Sequence, residues 1–251
     1  MVAQVCAERE TAHATFRPKT ARKGNLQANA RAARYAALGE WAGERGLVAI
    51  VTAHHRDDQA ETLLMRLNRG AGVRGLAGMR PVARVPGHPD LPLLRPLLGW
   101  SRPELAQIVT EAGLASADDP TNRDLRFERA TVRAWLAEAA WLDPAALATS
   151  AGHLADADAA LDWAAEREWD ETTARDGRGL TYRPAAPRAV RLRVLERILG
   201  ELGREGTPRG SEVARLDATL SAGRTATLAG VRACAVGGVW RFAPAPPRRS
   251  R

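Results

Sequence analysis

Lysine is nearly missing from this chain of 251 residues: only Lys19 and Lys23 occur, and the other 35 basic residues are arginines. Cysteine is almost as scarce. Cys6 and Cys234 lie at opposite ends with no partner nearby, which excludes a disulfide scaffold and a CxxC metal site. Aromatic residues make up only 5% of the chain. No apolar run is longer than Leu47 to Ala53 (LVAIVTA), far too short to cross a bilayer. Residues 1–10 (MVAQVCAERE) lack the basic start and apolar core of a signal peptide, so a cytoplasmic protein without membrane contact is expected.

What is present is an ordinary globular composition, 45% apolar and 26% charged, which excludes disorder, collagen and coiled-coil rods. The net charge of +8 is unevenly spread: residues 1–142 carry +5, 143–176 carry −7 and 187–251 carry +8. Arginine in place of lysine, with heavy use of alanine and glycine, is also what genome composition alone would give. The balance suits nucleic acid binding without establishing it.

Periodicity divides the chain. Residues 25–45 read as an amphipathic helix with Ala28, Ala32, Tyr35, Leu38 and Ala42 on one side. Leu47 to Ala53 then has the pattern of a parallel strand buried on both faces. A helix from Asp58 to Asn68 follows, with Asp58 as cap and Glu61 completing a capping box worth about 1 kcal/mol. A strand is predicted at Leu91–Leu98, and Ser101 with Glu104 predicts another capped helix to Gly113. This alternation gives a doubly wound, mostly parallel α/β sheet. Beyond it, Asp143-Pro144 opens a long helix to Ala174. Val190 to Leu202 and Glu212 to Ser221 predict two more helices, and Thr225 to Phe242 a hairpin turning at Gly237-Gly238. The tail PAPPRRSR is expected to be disordered.

Three polar clusters carry chemistry. His54-His55-Arg56-Asp57-Asp58-Gln59-Ala60-Glu61-Thr62 sits where a buried strand passes into a helix, the edge at which open α/β sheets bind ligands. Capping accounts for Asp58 and Glu61 but leaves His54, His55, Asp57 and Thr62 unexplained. Histidines and carboxylates there suit a phosphate-bearing nucleotide with Mg2+, whereas zinc lacks the further His or Cys ligands it would need. Arg69-Gly70-Ala71-Gly72, followed by Arg74 and two more glycines, offers backbone amides and guanidiniums to an anion, though such a turn is commonly only a helix end. Asp118-Asp119-Pro120-Thr121-Asn122 precedes Arg126, Arg129 and Arg133, whose spacing places them on one helix face, suited to backbone phosphates or simply to solvent.

The order and spacing of these clusters resemble the tRNA(Ile)-lysidine synthetases, N-type PP-loop ATP pyrophosphatases. The resemblance rests on AHHRDDQAETLLMRLNRGAGVRGLAGM (Ala53–Met79), LLRPLLGWSRPEL (Leu93–Leu105) and DDPTNRDLRFERATVR (Asp118–Arg133), with ARAARY (Ala30–Tyr35) and TLAG…GGVWRF (Thr227–Phe242) in support. It implies a PP-loop ATPase fold at residues 1–125 and a helical linker region at 126–180. Helices plus a β-hairpin at 181–243 form a small α+β, tRNA-binding candidate region, and 244–251 are a disordered tail. The SGGxDS loop with which such proteins wrap ATP phosphates occurs nowhere in the 251 residues. Residues 1–16 correspond to the family's second helix and third strand, so the chain resembles an N-terminally truncated member. An unpaired edge on the Leu47–Ala53 strand is then expected.

The activity implied is ATP-dependent ligation of free L-lysine to the wobble cytidine of tRNA(Ile) with a CAU anticodon, through an adenylated cytidine. The alternative is an inactive remnant that retains tRNA binding. A tRNA thiolase is disfavoured by the isolated cysteines. By the resemblance, Asp57, Asp58, Glu61, Asp119 and Asn122 are catalytic, with Mg2+ on Asp57 and Asp58. His54, His55, Arg69, Gly70 and Gly72 face ATP, and Arg126, Arg129 and Arg133 face tRNA. Homodimerisation stays open.

Overall fold

The computed structural model describes residues 2–18, 26–116, 124, 126–204 and 206–246. It divides into two compact units, 1–155 and 156–251. No helix among the described residues is long and apolar enough to cross a membrane.

In the first unit, helix α1 (Val2–Glu8) is followed by residues 11–18 with neither helix nor strand, where the family resemblance predicts a strand. A strand needs a hydrogen-bonded neighbour, and no described residue pairs with that stretch. Helix α2 (Leu26–Glu44) buries Tyr35 and Ala42 against Ile50, Val85 and Leu93. Strand β1 is only Ile50–Val51. It pairs in parallel with β3 (His88–Leu94), Ile50 opposite Leu93. β3 pairs antiparallel with β2 (Val82–Val85), giving the order β1-β3-β2.

The run Leu47–Ala53 was expected to be buried on both faces, and it is not. Val48 is 86% and Val51 61% exposed, while Ile50 is buried. Among the described residues β1 pairs only with β3 and stands at the sheet edge, the unpaired edge expected for Leu47–Ala53. Burial of its faces depends on what packs over them rather than on apolar composition alone. The β2–β3 hairpin was not foreseen, although Pro86-Gly87 is a turn signal and Gly87 takes φ +84°. Gly39 lets α2 approach this hairpin: a Cβ there would lie 2.2 Å from the His88 ring.

Helix α3 (Arg56–Asn68) is followed by the short α4 (Val73–Leu76) and α5 (Arg102–Glu111). The predicted box on α5 is present in both directions, Glu104 N–H to Ser101 Oγ at 3.3 Å and Ser101 N–H to Glu104 Oε2 at 2.6 Å. Helix α6 (Glu128–Glu138) packs on α3.

The boundary between units falls inside helix α7 (Pro144–Thr172), capped by Asp143 through the Ala145 N–H at 2.8 Å. The second unit contains strands β4 (Thr173–Asp176) and β5 (Gly179–Tyr182), helices α8 (Arg188–Leu202) and α9 (Gly210–Ser221), and strands β6 (Thr225–Leu228), β7 (Val231–Val236) and β8 (Val239–Pro244). Its antiparallel sheet runs β4-β5-β8-β7-β6. Six apolar residues of the helix predicted at Val190 to Leu202 are buried: Val190, Val194, Leu195, Ile198, Leu199 and Leu202. They join Leu180, Tyr182, Val213, Leu216, Leu220, Val231, Trp240 and Phe242 in one core, where Tyr182 and Trp240 meet edge-to-face at 5.6 Å. The predicted hairpin is the β7–β8 pair, turning at Gly237 and Gly238 with positive φ at both, and β6 extends it. Helix was expected to continue to Ala174, but the chain enters β4 at Thr173. Asp176-Gly177 is the hairpin signal that marks the β4–β5 turn.

Candidate active site

The site begins where β1 ends. Thr52 N–H bonds Leu94 O at 2.9 Å, which carries the strand one residue on, and the chain then turns through His54 and His55 into α3. Helix α3 starts at Arg56, two residues earlier than predicted, so the cap register differs. His55 is the N-cap, and Asp58 Oδ2 accepts the His55 N–H at 2.9 Å. Asp57 Oδ2 accepts the Arg102 N–H at 2.8 Å and thereby ties α3 to the start of α5. Carboxylates in a first turn also suit the helix dipole.

Glu61 is not a cap. It is 2% exposed and takes Arg129 Nε on Oε2 at 2.6 Å, with Arg133 Nε on Oε1 at 2.7 Å. Arg129 Nη2 also pairs with Asp58 Oδ1. Arg129 and Arg133, one turn apart on α6, thus meet Asp58 and Glu61, three residues apart on α3. A buried carboxylate survives because two guanidiniums neutralise it. The hydrogen bond to Glu61 also raises the Arg133 pKa above its ordinary value.

Against this lattice lies a cavity of about 480 Å³, lined by Arg34, Tyr35, Leu38, Thr52, Ala53, His54, Asp58, Arg129 and Arg133. His54 Nδ1 lies 2.9 Å from Thr52 Oγ1. Burial first, then the charges of Arg95, Arg129 and Arg31, holds the His54 pKa below its ordinary value, with Asp58 opposing. His54 is therefore a neutral imidazole at neutral pH.

The structure brings His54, Asp58, Arg129 and Arg133 to one cavity, with Glu61 in support. Asp57 faces α5 instead. Arg69 ends α3 and pairs with Glu128, while Gly70 closes the helix at φ +66° and Gly72 precedes α4. Arg126 does not share the α6 face with Arg129 and Arg133. It lies before the helix and binds Asp124 through Nη2 at 2.6 Å. Asp119 and Asn122 lie outside the described residues. Among the described residues no group of three or more His, Cys, Asp or Glu is placed to hold a metal. Periodicity assigned Tyr35 only to a core face and passed over Arg34 and Thr52, although ARAARY stood among the matching motifs.

Residues 1–140 match a family model described as a PP-loop domain. The whole chain aligns at 53% identity with the tRNA(Ile)-lysidine synthase of Novosphingobium aromaticivorans, covering 77% of that protein. The chain belongs to the tRNA(Ile)-lysidine synthase family. Proteins of the same name from Zymomonas mobilis (36% identical over 99% of this chain and 76% of the relative) and a Bradyrhizobium species (39% over 100% and 78%) align similarly. The PP-loop match ends at residue 140, whereas the alignment with the Novosphingobium relative continues through the second unit and its core.

Proposed function

We propose that the chain ligates L-lysine to the wobble cytidine of CAU-anticodon tRNA(Ile) at the cost of ATP, through an adenylated cytidine. The observation that carries this reading is the alignment of all 251 residues with a protein named for that reaction.

The cavity supplies what the two steps require. Adenylation of the cytidine C2 oxygen releases pyrophosphate and needs in-line geometry with the phosphate charge offset. Arg129 and Arg133, held rigid by Glu61, are preorganised cations at the wall. His55, Arg69, Gly70 and Gly72 at the two ends of α3 are the further candidates towards the nucleotide. Mg2+ takes one or two carboxylates beside phosphate oxygens and water. Asp57, of which only Oδ2 is engaged among the described residues, and Asp58 would hold it. When bound it would offset phosphate charge.

The second step needs a neutral amine. Neutral His54, lining the cavity beside Asp58, is an acceptor for the proton that lysine must lose. Asp119 and Asn122 are candidates around the lysine or cytidine, and Arg126, Arg129 and Arg133 for tRNA.

Purified protein incubated with ATP, radiolabelled lysine and the CAU-anticodon tRNA should incorporate lysine, and Asp58→Asn should lose most of that activity. A second reading is a tRNA-binding protein without ligase activity, in which the guanidiniums of Arg34, Arg129 and Arg133 at the cavity wall would serve binding alone. Retained tRNA binding without any incorporation would select it.

A further inference from the structure

A second cavity of the first unit, about 650 Å³, adjoins the one described. Its lining includes Arg31, Arg34, Arg66, Arg69 and Arg129, with no carboxylate among the lining residues. Arg34 and Arg129 belong to both cavities and form their common wall. The remaining lining is small or neutral: Ala28, Ala30, Thr62 and Met65.

The cations are arranged as two pairs. Arg31 and Arg34 lie three residues apart on α2, and Arg66 in the last turn of α3 lies three residues before Arg69, its C-cap. That spacing sets each pair on one helix face, displaced about 4.5 Å along its axis. The positive charge is therefore spread along two helices rather than focused on one point. Arg69 is paired with Glu128, and Arg129 with Asp58 and Glu61. Among the described residues no carboxylate pairs with Arg31, Arg34 or Arg66.

Neutral groups hold these cations in place. The Arg31 guanidinium sits 4.9 Å from the centre of the buried Tyr35 ring. Arg66 Nη1 donates to Gly75 O at 2.6 Å and Gly78 O at 3.2 Å. Burial, then Arg31 and Arg69, depresses the Arg66 pKa, so the cluster is self-repelling as it stands. An anion would relieve that repulsion.

We propose that this arginine-lined cavity between α2 and α3 seats consecutive backbone phosphates of the RNA substrate, leaving the adjoining cavity for the reacting base. The proposal rests on the reading of the chain as a tRNA-modifying enzyme. It moves the RNA phosphate contacts away from Arg126 and Arg133 and reassigns Arg69 from the nucleotide to the RNA. An extended polyanion matches cations distributed along two helices, whereas a mononucleotide gathers its charge at one end. Arg34 and Arg129, shared by both cavities, would then lie where backbone and base diverge.

Arg31 tests this without disturbing the core, since its side chain is exposed and lines only the second cavity. Binding of an unmodified CAU-anticodon tRNA transcript is measured from 50 to 200 mM salt for the full chain, Arg31→Ala and Arg31→Lys, with ATP and pyrophosphate binding measured in parallel. Arg31→Ala should weaken tRNA binding severalfold to about tenfold and make the salt slope shallower by about one. Arg31→Lys should restore most of both, and ATP affinity should stay constant. An unchanged tRNA affinity and slope would overturn the proposal. So would a loss confined to ATP or pyrophosphate, which would make the cavity a nucleotide site. Lysine incorporation by the unaltered chain reports separately on the proposed function. Incorporation with Arg31-independent tRNA binding sinks only the cavity, and no incorporation with Arg31-dependent binding sinks only the enzyme.

Discussion

Replacing Glu61 by glutamine should loosen helix α6 from α3. The side chain is buried and accepts three hydrogen bonds from Arg129 and Arg133, at 2.6, 2.7 and 3.3 Å. Breaking a fully buried ion pair typically costs about 3–5 kcal/mol, because a charge is left unpaired in a low dielectric. Here the full value does not apply. The Arg129 side chain is 38% and that of Arg133 29% exposed, and Arg129 keeps Asp58. Water can therefore reach both guanidiniums, and the amide oxygen of glutamine still accepts one bond. A cost of about 2 kcal/mol is expected, equivalent to roughly thirtyfold in the opening equilibrium. Amide hydrogen exchange read by mass spectrometry over Glu128–Glu138 should accelerate by about that factor, and exchange over α8 should not change. Arg133→Gln alone should give less, and the double variant less than the sum, because both remove the same bond. An α6 exchange rate altered by less than about threefold would refute the view that Glu61 holds the two helices together.

Gly78→Ala should destabilise the first unit by about 1–3 kcal/mol, read as a lower urea midpoint. Gly78 has φ +64°, and a Cβ there would lie 2.7 Å from Gln59 Oε1, the atom that accepts the Met79 N–H. Gln59→Ala should cost about as much by leaving both Met79 backbone groups unpaired, since Gln59 Nε2 also donates to Met79 O at 2.8 Å. His54 gives a pH signature. Its folded pKa lies below the ordinary 6.5, so the unfolded chain binds the proton first. Stability is complete above about 6.5 and declines as the pH falls towards the folded value. Thermal melts from pH 8 to 5 should show this component, and His54→Gln should remove it. In the second unit, Glu168→Ala should cost about 2–4 kcal/mol in thermal melts. Buried Oε1 accepts the Tyr182 hydroxyl at 2.9 Å and the Ala185 and Ala186 N–H groups at 2.9 and 3.0 Å.

Local rules settled much of this molecule from sequence. Helix α8 could be located because its six apolar residues recur at helical spacing, and α5 because Ser101 and Glu104 satisfy each other within one turn. The Gly237-Gly238 turn was legible because only glycine takes positive φ there without cost. The family, too, was legible in the order of its motifs. What the sequence could not decide was anything that depends on a neighbour distant in the chain. Leu47–Ala53 reads as a strand buried on both faces, yet Val48 and Val51 are exposed, because burial of a face depends on what remote segments pack over it. Glu61 reads as a cap, because nothing local reveals that Arg129 and Arg133, 68 and 72 positions away, will pass beside it. The arginines of α2 and α3 lie about 35 positions apart in the chain, and only the fold turns both sets towards one cavity. Periodicity and capping act within a turn or two, whereas the pairing of charges and the burial of a strand are fixed only when remote segments meet.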